Sequence, residues 1–132
     1  MDINNPIKEQ IEKSIQTKQA ILANKELMDQ IARAAEVTTN AYRNGKKTLL
    51  AGNGGSAADA QHIAGEFVSK FYFDRPGIPS VAITTDTSIL TAIGNDYGFE
   101  RLFARQVEAQ GNTGDVFIGI STSGNSANIL RA

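Results

Sequence analysis

An α/β fold, with a parallel sheet covered by helices on both faces, is what this sequence predicts, and three observations predict it. After residue 45, short apolar runs alternate with helical segments in a βαβαβ rhythm, which calls for right-handed crossovers and parallel strands. Two of those runs, Thr48-Leu-Leu-Ala51 and Val116-Phe-Ile-Gly-Ile120, pass directly into Gly/Ser-rich turns that open helices. Before residue 46 the spacing is helical with no intervening strand, so those residues form a helical extension to the sheet domain.

Each element has a local reason. Asn5-Pro6 reads as a helix cap and first helical residue, and Ile7, Ile11 and Ile15 follow at four-residue spacing. Asn24 caps a second helix with Leu27, Ile31, Ala34, Ala35, Thr38 and Tyr42 along one face, and Asn44-Gly45 stops it. The two apolar stripes serve either to pack on the sheet or to pair across subunits. A strand over 47–51 leads through Gly52-Asn-Gly-Gly-Ser56 to a helix over 57–71, with Ala60, Ala64, Phe67, Val68 and Phe71 inward. Arg75-Pro-Gly-Ile-Pro79 is a turn. Val81-Ala-Ile83 is the second strand and leads through Thr84-Thr-Asp-Thr87 to a helix near 88–93. Gly94-Asn-Asp-Tyr-Gly98 breaks that helix, and another runs over 99–109. Gly111-Asn-Thr-Gly114 turns into the strand 116–120, and Ser126 opens a last helix. Three strands fall short of the usual four to six, so the natural protein is expected to continue beyond Ala132.

Composition narrows the function classes. At 132 residues the chain is a single domain by size, with residues 1–45 as N-terminal helices for assembly and 46–132 as the first part of the α/β core. A formal net charge of −1 with no basic block argues against a nucleic-acid groove. There is no cysteine, which excludes disulfides and thiolate metal sites. No apolar run is long enough to span a membrane, and Met1-Asp-Ile-Asn-Asn-Pro6 lacks the pattern of a signal peptide. The expected compartment is the cytoplasm.

The two turns carry the chemistry. A helix start offers unpaired N–H groups and partial positive charge to an anion; glycine lets the backbone approach, and serine adds donors. In a parallel sheet both turns fall at the carboxyl ends of the strands, where ligands bind. A phosphorylated small molecule is the expected ligand. His62, the only histidine, shares a helix face with Glu66 at i, i+4. Their nitrogen and oxygen donors suit zinc, and the same spacing serves a plain surface hydrogen bond. Asp59 stands three residues earlier, as a second partner for the imidazole or simply as a solvated carboxylate. Asn95-Asp96 offers an amide and a carboxylate to sugar hydroxyls. Phe67, Phe71, Tyr72 and Phe73 read as packing rather than a stacking platform. Dinucleotide, Walker A and nucleophile-elbow motifs are absent.

The segments Gly52–Glu66, Arg75–Pro79, Ala92–Gly98 and Gly114–Ser126 together closely resemble the phosphoheptose isomerase family of the sugar isomerase (SIS) fold, along essentially the whole chain. The resemblance implies a flavodoxin-like three-layer αβα architecture. It implies a cytoplasmic homotetramer whose N-terminal helices build a central bundle, with active sites between subunits. It also implies conversion of sedoheptulose 7-phosphate to D-glycero-D-manno-heptose 7-phosphate through an enediol, in activated-heptose synthesis for lipopolysaccharide or capsule. Position by position, His62 and Glu66 match zinc ligands, and Glu66 matches the catalytic carboxylate. Asn53, Gly54, Gly55, Asn95, Asp96, Ser121, Thr122, Ser123 and Ser126 match substrate-binding positions, and Ser56 belongs to the same first loop. Lys70 stands where many members carry arginine. The family's other zinc ligands, a glutamine and a histidine, lie in a helix beyond residue 132, so these 132 residues alone are expected to be inactive. The alternative is a non-catalytic SIS-fold binding protein of the DnaA initiator-associating type, which resembles the isomerases but lacks the carboxylate at Glu66.

Overall fold

The computed structural model describes residues 4–132. The chain divides after Val37 into two compact units. The first is helical. Helix α1 spans Asn4–Ala23, so Asn5 and Pro6 both lie in its first turn, and the capping position falls outside the described residues. Proline is tolerated there because its missing N–H would have no helical partner. Ile7, Ile11 and Ile15 form the expected stripe and are 53, 56 and 49% exposed. Helix α2 spans Lys25–Arg43 and is capped as predicted: Leu27 N–H donates to Asn24 Oδ1 at 3.1 Å.

From Thr38 onward the chain builds the sheet unit. Helix α2 ends at Asn44-Gly45, where Gly45 takes φ 69° and Lys46 N–H closes on Ala41 O at 3.0 Å. Strands β1 (Thr48–Gly52), β2 (Ser80–Ala82) and β3 (Val116–Ile120) pair in parallel in the order β2-β1-β3. The central strand β1 is buried throughout, as a continuous apolar run flanked on both sides requires. Alternation along it separates two cores. Leu50 packs with Ala60 and Ala64 of helix α3 (Gly55–Val68) on one face. Leu49 and Ala51 pack with Ile83, Leu102, Phe103 and Ile129 on the other. That second face is covered by α4 (Thr87–Tyr97), a 3-10 turn over Phe99–Arg101, α5 (Ala104–Gln110) and α6 (Ala127–Leu130). The expected α/β architecture with helices on both faces is the observed one.

Several boundaries differ from expectation: β1 covers Thr48–Gly52 rather than 47–51, and α3 opens at Gly55 rather than 57. Helix α3 ends at Val68 rather than 71 because the segment after it returns to occupy its last carbonyls. Arg75 donates to Glu66 O at 2.7 Å and Phe67 O at 2.8 Å, and Ile78 N–H donates to Phe67 O at 2.9 Å. Val68, Phe71, Tyr72 and Phe73 are therefore exposed, with the Phe71 and Tyr72 rings edge to face at 4.2 Å, whereas Phe67 is half-buried with its ring 5.3 Å from that of Tyr42. Strand β2 starts one residue early, at Ser80, although Ile83 N–H still bonds Leu50 O. Helix α4 runs through Gly94 and stops only at Gly98 (φ 83°). Asp86 caps its start by accepting from Ile89 N–H at 2.9 Å, Leu90 and Ile93 hold its apolar face, and Arg105 stacks over Tyr97 at its end. The expected helix over 99–109 opens as the 3-10 turn and becomes α-helical only at Ala104.

One half-buried ion pair ties the β1 and β3 entries together. Asp115 accepts from Lys47 Nζ, from Lys47 N–H at 3.0 Å and from Asn112 N–H at 2.8 Å. These bonds, that from the Lys47 side chain foremost, lower the Asp115 pKa to about 2.

Candidate functional site

Parallel pairing alone brings the two Gly/Ser loops together. Gly52, the last residue of β1, stands opposite Ile120, the last residue of β3, so residues 53–56 and 121–126 leave the same edge side by side. Gly52 is required by space: a Cβ there would sit 2.3 Å from the backbone oxygen of Ser56. Gly54 takes φ 54°, and Ser56 N–H closes the turn on Asn53 O at 3.0 Å, leaving Ser56 buried.

The second loop gathers three hydroxyls. Ser121 Oγ lies 2.9 Å from Ser126 Oγ and 3.3 Å from Ser123 Oγ. Gly124, at φ 68°, makes the turn between them, and Asn125 N–H donates to Ser123 Oγ at 3.2 Å. Ser126 occupies the capping position of α6, yet its side chain makes no capping bond and points into the cluster instead. Only its carbonyl serves the helix, accepting from Ile129 and Leu130 N–H. Thr122 is exposed on the same loop.

The loops are also joined to each other by a residue that sequence reasoning missed. Asn53 and Asn128 form a reciprocal amide pair, each Nδ2 donating to the other's Oδ1 at 2.9 Å. Asn128 is only 2% exposed. The one available signal was an amide just before Ile129, at a position the apolar pattern turns inward.

Helix α3 carries the candidate acid–base group. His62 Nε2 and Glu66 Oε1 are 3.6 Å apart on one face, with the imidazole side chain 76% and the carboxylate 37% exposed. Glu66 is fixed from behind, since Arg75 holds its backbone oxygen. Asp59 is exposed and bonds to no side chain among the described residues, so the second partner considered for His62 is not realised there. Asn95 and Asp96 lie in the last turn of α4 rather than in a break between helices. Asn95 Nδ2 donates to Asp96 Oδ1 at 2.8 Å, and both residues are exposed. Lys70 is exposed beyond the end of α3.

His62 and Glu66 offer the donor types zinc takes, but catalytic zinc uses three protein ligands. Among the described residues no three His, Cys, Asp or Glu side chains stand together to hold a metal. The pair fits part of such a site and does not complete one.

Comparison with known proteins bears on this arrangement. The SIS domain family model matches residues 11–132. The chain is 67% identical over 130 residues to phosphoheptose isomerase from Aneurinibacillus thermoaerophilus, covering 98% of this chain and 66% of that protein. It is 69% identical over 131 residues to phosphoheptose isomerase 2 of Campylobacter jejuni, covering 99% and 65% respectively. Thus the chain spans 66% and 65% of the length of these two curated relatives. Among solved structures, a phosphoheptose isomerase from Francisella tularensis superposes with a TM-score of 0.90 at 42% identity, over 99% of this chain and 68% of that one. The phosphoheptose isomerase of Neisseria gonorrhoeae superposes with a TM-score of 0.87 at 46% identity, over 98% and 66%.

Proposed function

The chain belongs to the SIS domain family, and from that premise we propose that the protein interconverts sedoheptulose 7-phosphate and D-glycero-D-manno-heptose 7-phosphate. The observation that carries the reading is the Glu66 carboxylate beside His62, on the helix that the first Gly/Ser loop opens. A module that only holds a sugar phosphate needs the loops and has no use for a carboxylate there. The names of the relatives support the same substrate class.

The residues divide the work. Hydroxyls of Ser121, Ser123 and Ser126, converging within 3.3 Å of Ser121 Oγ, hold the phosphate, with Ser56 in the neighbouring loop. Gly54 and Gly55 let the first loop approach it. Asn53, Thr122, Asn95 and Asp96 take sugar hydroxyls. Glu66 removes a proton from C1 of the ketose, giving the enediol, and returns a proton to C2. The C1 hydroxyl gives up its proton as it becomes the carbonyl, and the C2 oxygen gains one. His62 and Glu66 would hold two positions of a zinc site whose remaining ligands are not among the described residues. When bound, zinc supplies an electrophile for charge developing on the substrate oxygen.

Assembly as a homotetramer is part of the proposal, with active sites between subunits. The exposed Ile7/Ile11/Ile15 stripe supports it, because a chain alone in water leaves that face unpaired. A cytoplasmic enzyme supplying activated heptose for lipopolysaccharide or capsule is the corresponding role. Among the described residues no helix is long and apolar enough to cross a membrane. The test is turnover of sedoheptulose 7-phosphate by the intact, zinc-loaded protein, followed by carbon NMR of the products. Appearance of the aldose is expected. Binding of the sugar phosphate without turnover would favour the initiator-associating type of binding module.

A further inference from the structure

We infer that Asn128 is a positioning residue for substrate recognition: it fixes the amide orientation of Asn53 by the reciprocal hydrogen-bonded pair that ties the first loop to the helix after the second. The inference rests on the proposed isomerase reading. Each primary amide has two N–H donors and two acceptor lone pairs. The pair consumes one donor and one acceptor of Asn53 at 2.9 Å. One N–H and one lone pair of Asn53 remain, and they point away from Asn128. Asn128 is buried and Asn53 only half-buried, so of the two amides that of Asn53 is the one open to a ligand. Asn53 therefore presents a donor and an acceptor in a set order, and a polyhydroxylated chain can satisfy both.

Without the partner, the Asn53 amide is free to flip end for end and to rotate about χ1, so a ligand would have to order it. The arrangement also spans 75 residues of sequence. It sets the separation of the two loops, and with it the distance between the Asn53 amide and the Ser121/Ser123/Ser126 hydroxyls.

Asn128→Asp tests this with a signature that loss of packing does not have. The introduced carboxylate, when ionised, accepts from Asn53 Nδ2 but sets a second oxygen against Asn53 Oδ1. Once protonated, the same carboxyl restores both bonds. The KM for sedoheptulose 7-phosphate should rise about tenfold relative to wild type at pH 8 and return toward the wild-type value as pH falls to 5.5. Taking the ratio to wild type at each pH removes the titration of the substrate's own phosphate. In an Asn53→Ala background, the further change Asn128→Ala should alter KM by less than about twofold, because the route through Asn53 is already gone.

A pH-independent ratio for Asn128→Asp, or losses that multiply in the double variant, would overturn the inference while leaving isomerase activity intact. All variants are made in the intact, zinc-loaded protein, and absence of turnover in its wild-type form would instead refute the functional reading on which the inference rests. If Asn128→Asp does not fold, nitrogen-15 NMR of wild-type Asn53 decides: the pair requires one side-chain N–H to exchange slowly with solvent, and two fast-exchanging protons would overturn it.

Discussion

Replacing Gly52 with alanine should break the site through a single methyl group. The added Cβ would lie 2.3 Å from Ser56 O, 2.5 Å from its carbonyl carbon and 2.7 Å from its Cβ. An ordinary carbon–oxygen contact is about 3.4 Å, so the first turn of α3 must retreat by about 1 Å. It has little room to do so, because Ala60 and Ala64 of the same helix are buried against Leu50. Overpacking against backbone of this kind costs about 3 kcal/mol. If the helix does shift, Ser56 and Asn53 move with it, and a displacement of about 1 Å at a reacting site costs about a hundredfold in rate. The matched control is Gly55→Ala, three residues on, where an added Cβ meets nothing within 4 Å and the residue opens a helix. It should hold or gain stability, by about 0.4–1 kcal/mol. Urea unfolding of both variants and turnover of sedoheptulose 7-phosphate by Gly52→Ala form the assay. Gly52→Ala within about 0.5 kcal/mol of wild type, with undiminished turnover, would refute the steric reasoning and the loop geometry built on it.

Other consequences are equally concrete. Ser121→Ala combined with Ser123→Ala should raise KM for the phosphorylated sugar at least tenfold, since each charge-assisted bond contributes about 1.5–3 kcal/mol; an unchanged KM in the folded double variant would move the phosphate elsewhere. Asp115 has a folded pKa of about 2 against an ordinary 3.8. Its contribution, about 1–2 kcal/mol once solvent screening is counted, is therefore present above pH 4 and lost as pH falls through 2. Asp115→Asn should flatten the acid limb of the stability profile between those values, and an identical limb would exclude the Lys47 pair as its source. Deleting residues 1–23 removes the Ile7/Ile11/Ile15 stripe and should lower the mass in solution by light scattering, whereas a surviving tetramer would place the interface elsewhere.

What was legible in the sequence was what local chemistry decides. Asn24 caps and Gly45 stops a helix by rules that act within a helical turn or so, and both did so. The two Gly/Ser loops were recognisable because a strand running into glycine and serine leaves few alternatives, and parallel pairing then sets them side by side. What was not legible depends on distant partners. Gly94 looks like a helix breaker, but Leu90, Ile93 and the stack on Tyr97 carry α4 through it. That moves Asn95 and Asp96 from a turn onto a helix end. Phe71 fits an inward helical position, yet Arg75 takes the carbonyls of Glu66 and Phe67 and ends α3 before Phe71 is reached. Asn128 was invisible because its meaning lies in Asn53, at the far side of the chain.

Proton transfer by Glu66 is the central claim, and isotope exchange reads it directly. Glu66→Gln keeps the size and hydrogen-bonding reach of the side chain and removes the base. In heavy water, the wild-type intact protein should introduce deuterium at the substrate carbon beside the carbonyl. The variant, folded, binding sedoheptulose 7-phosphate and matched to wild type in metal content, should introduce none above background. Deuterium incorporation by Glu66→Gln at a rate near that of wild type would contradict the account and assign the base to another residue.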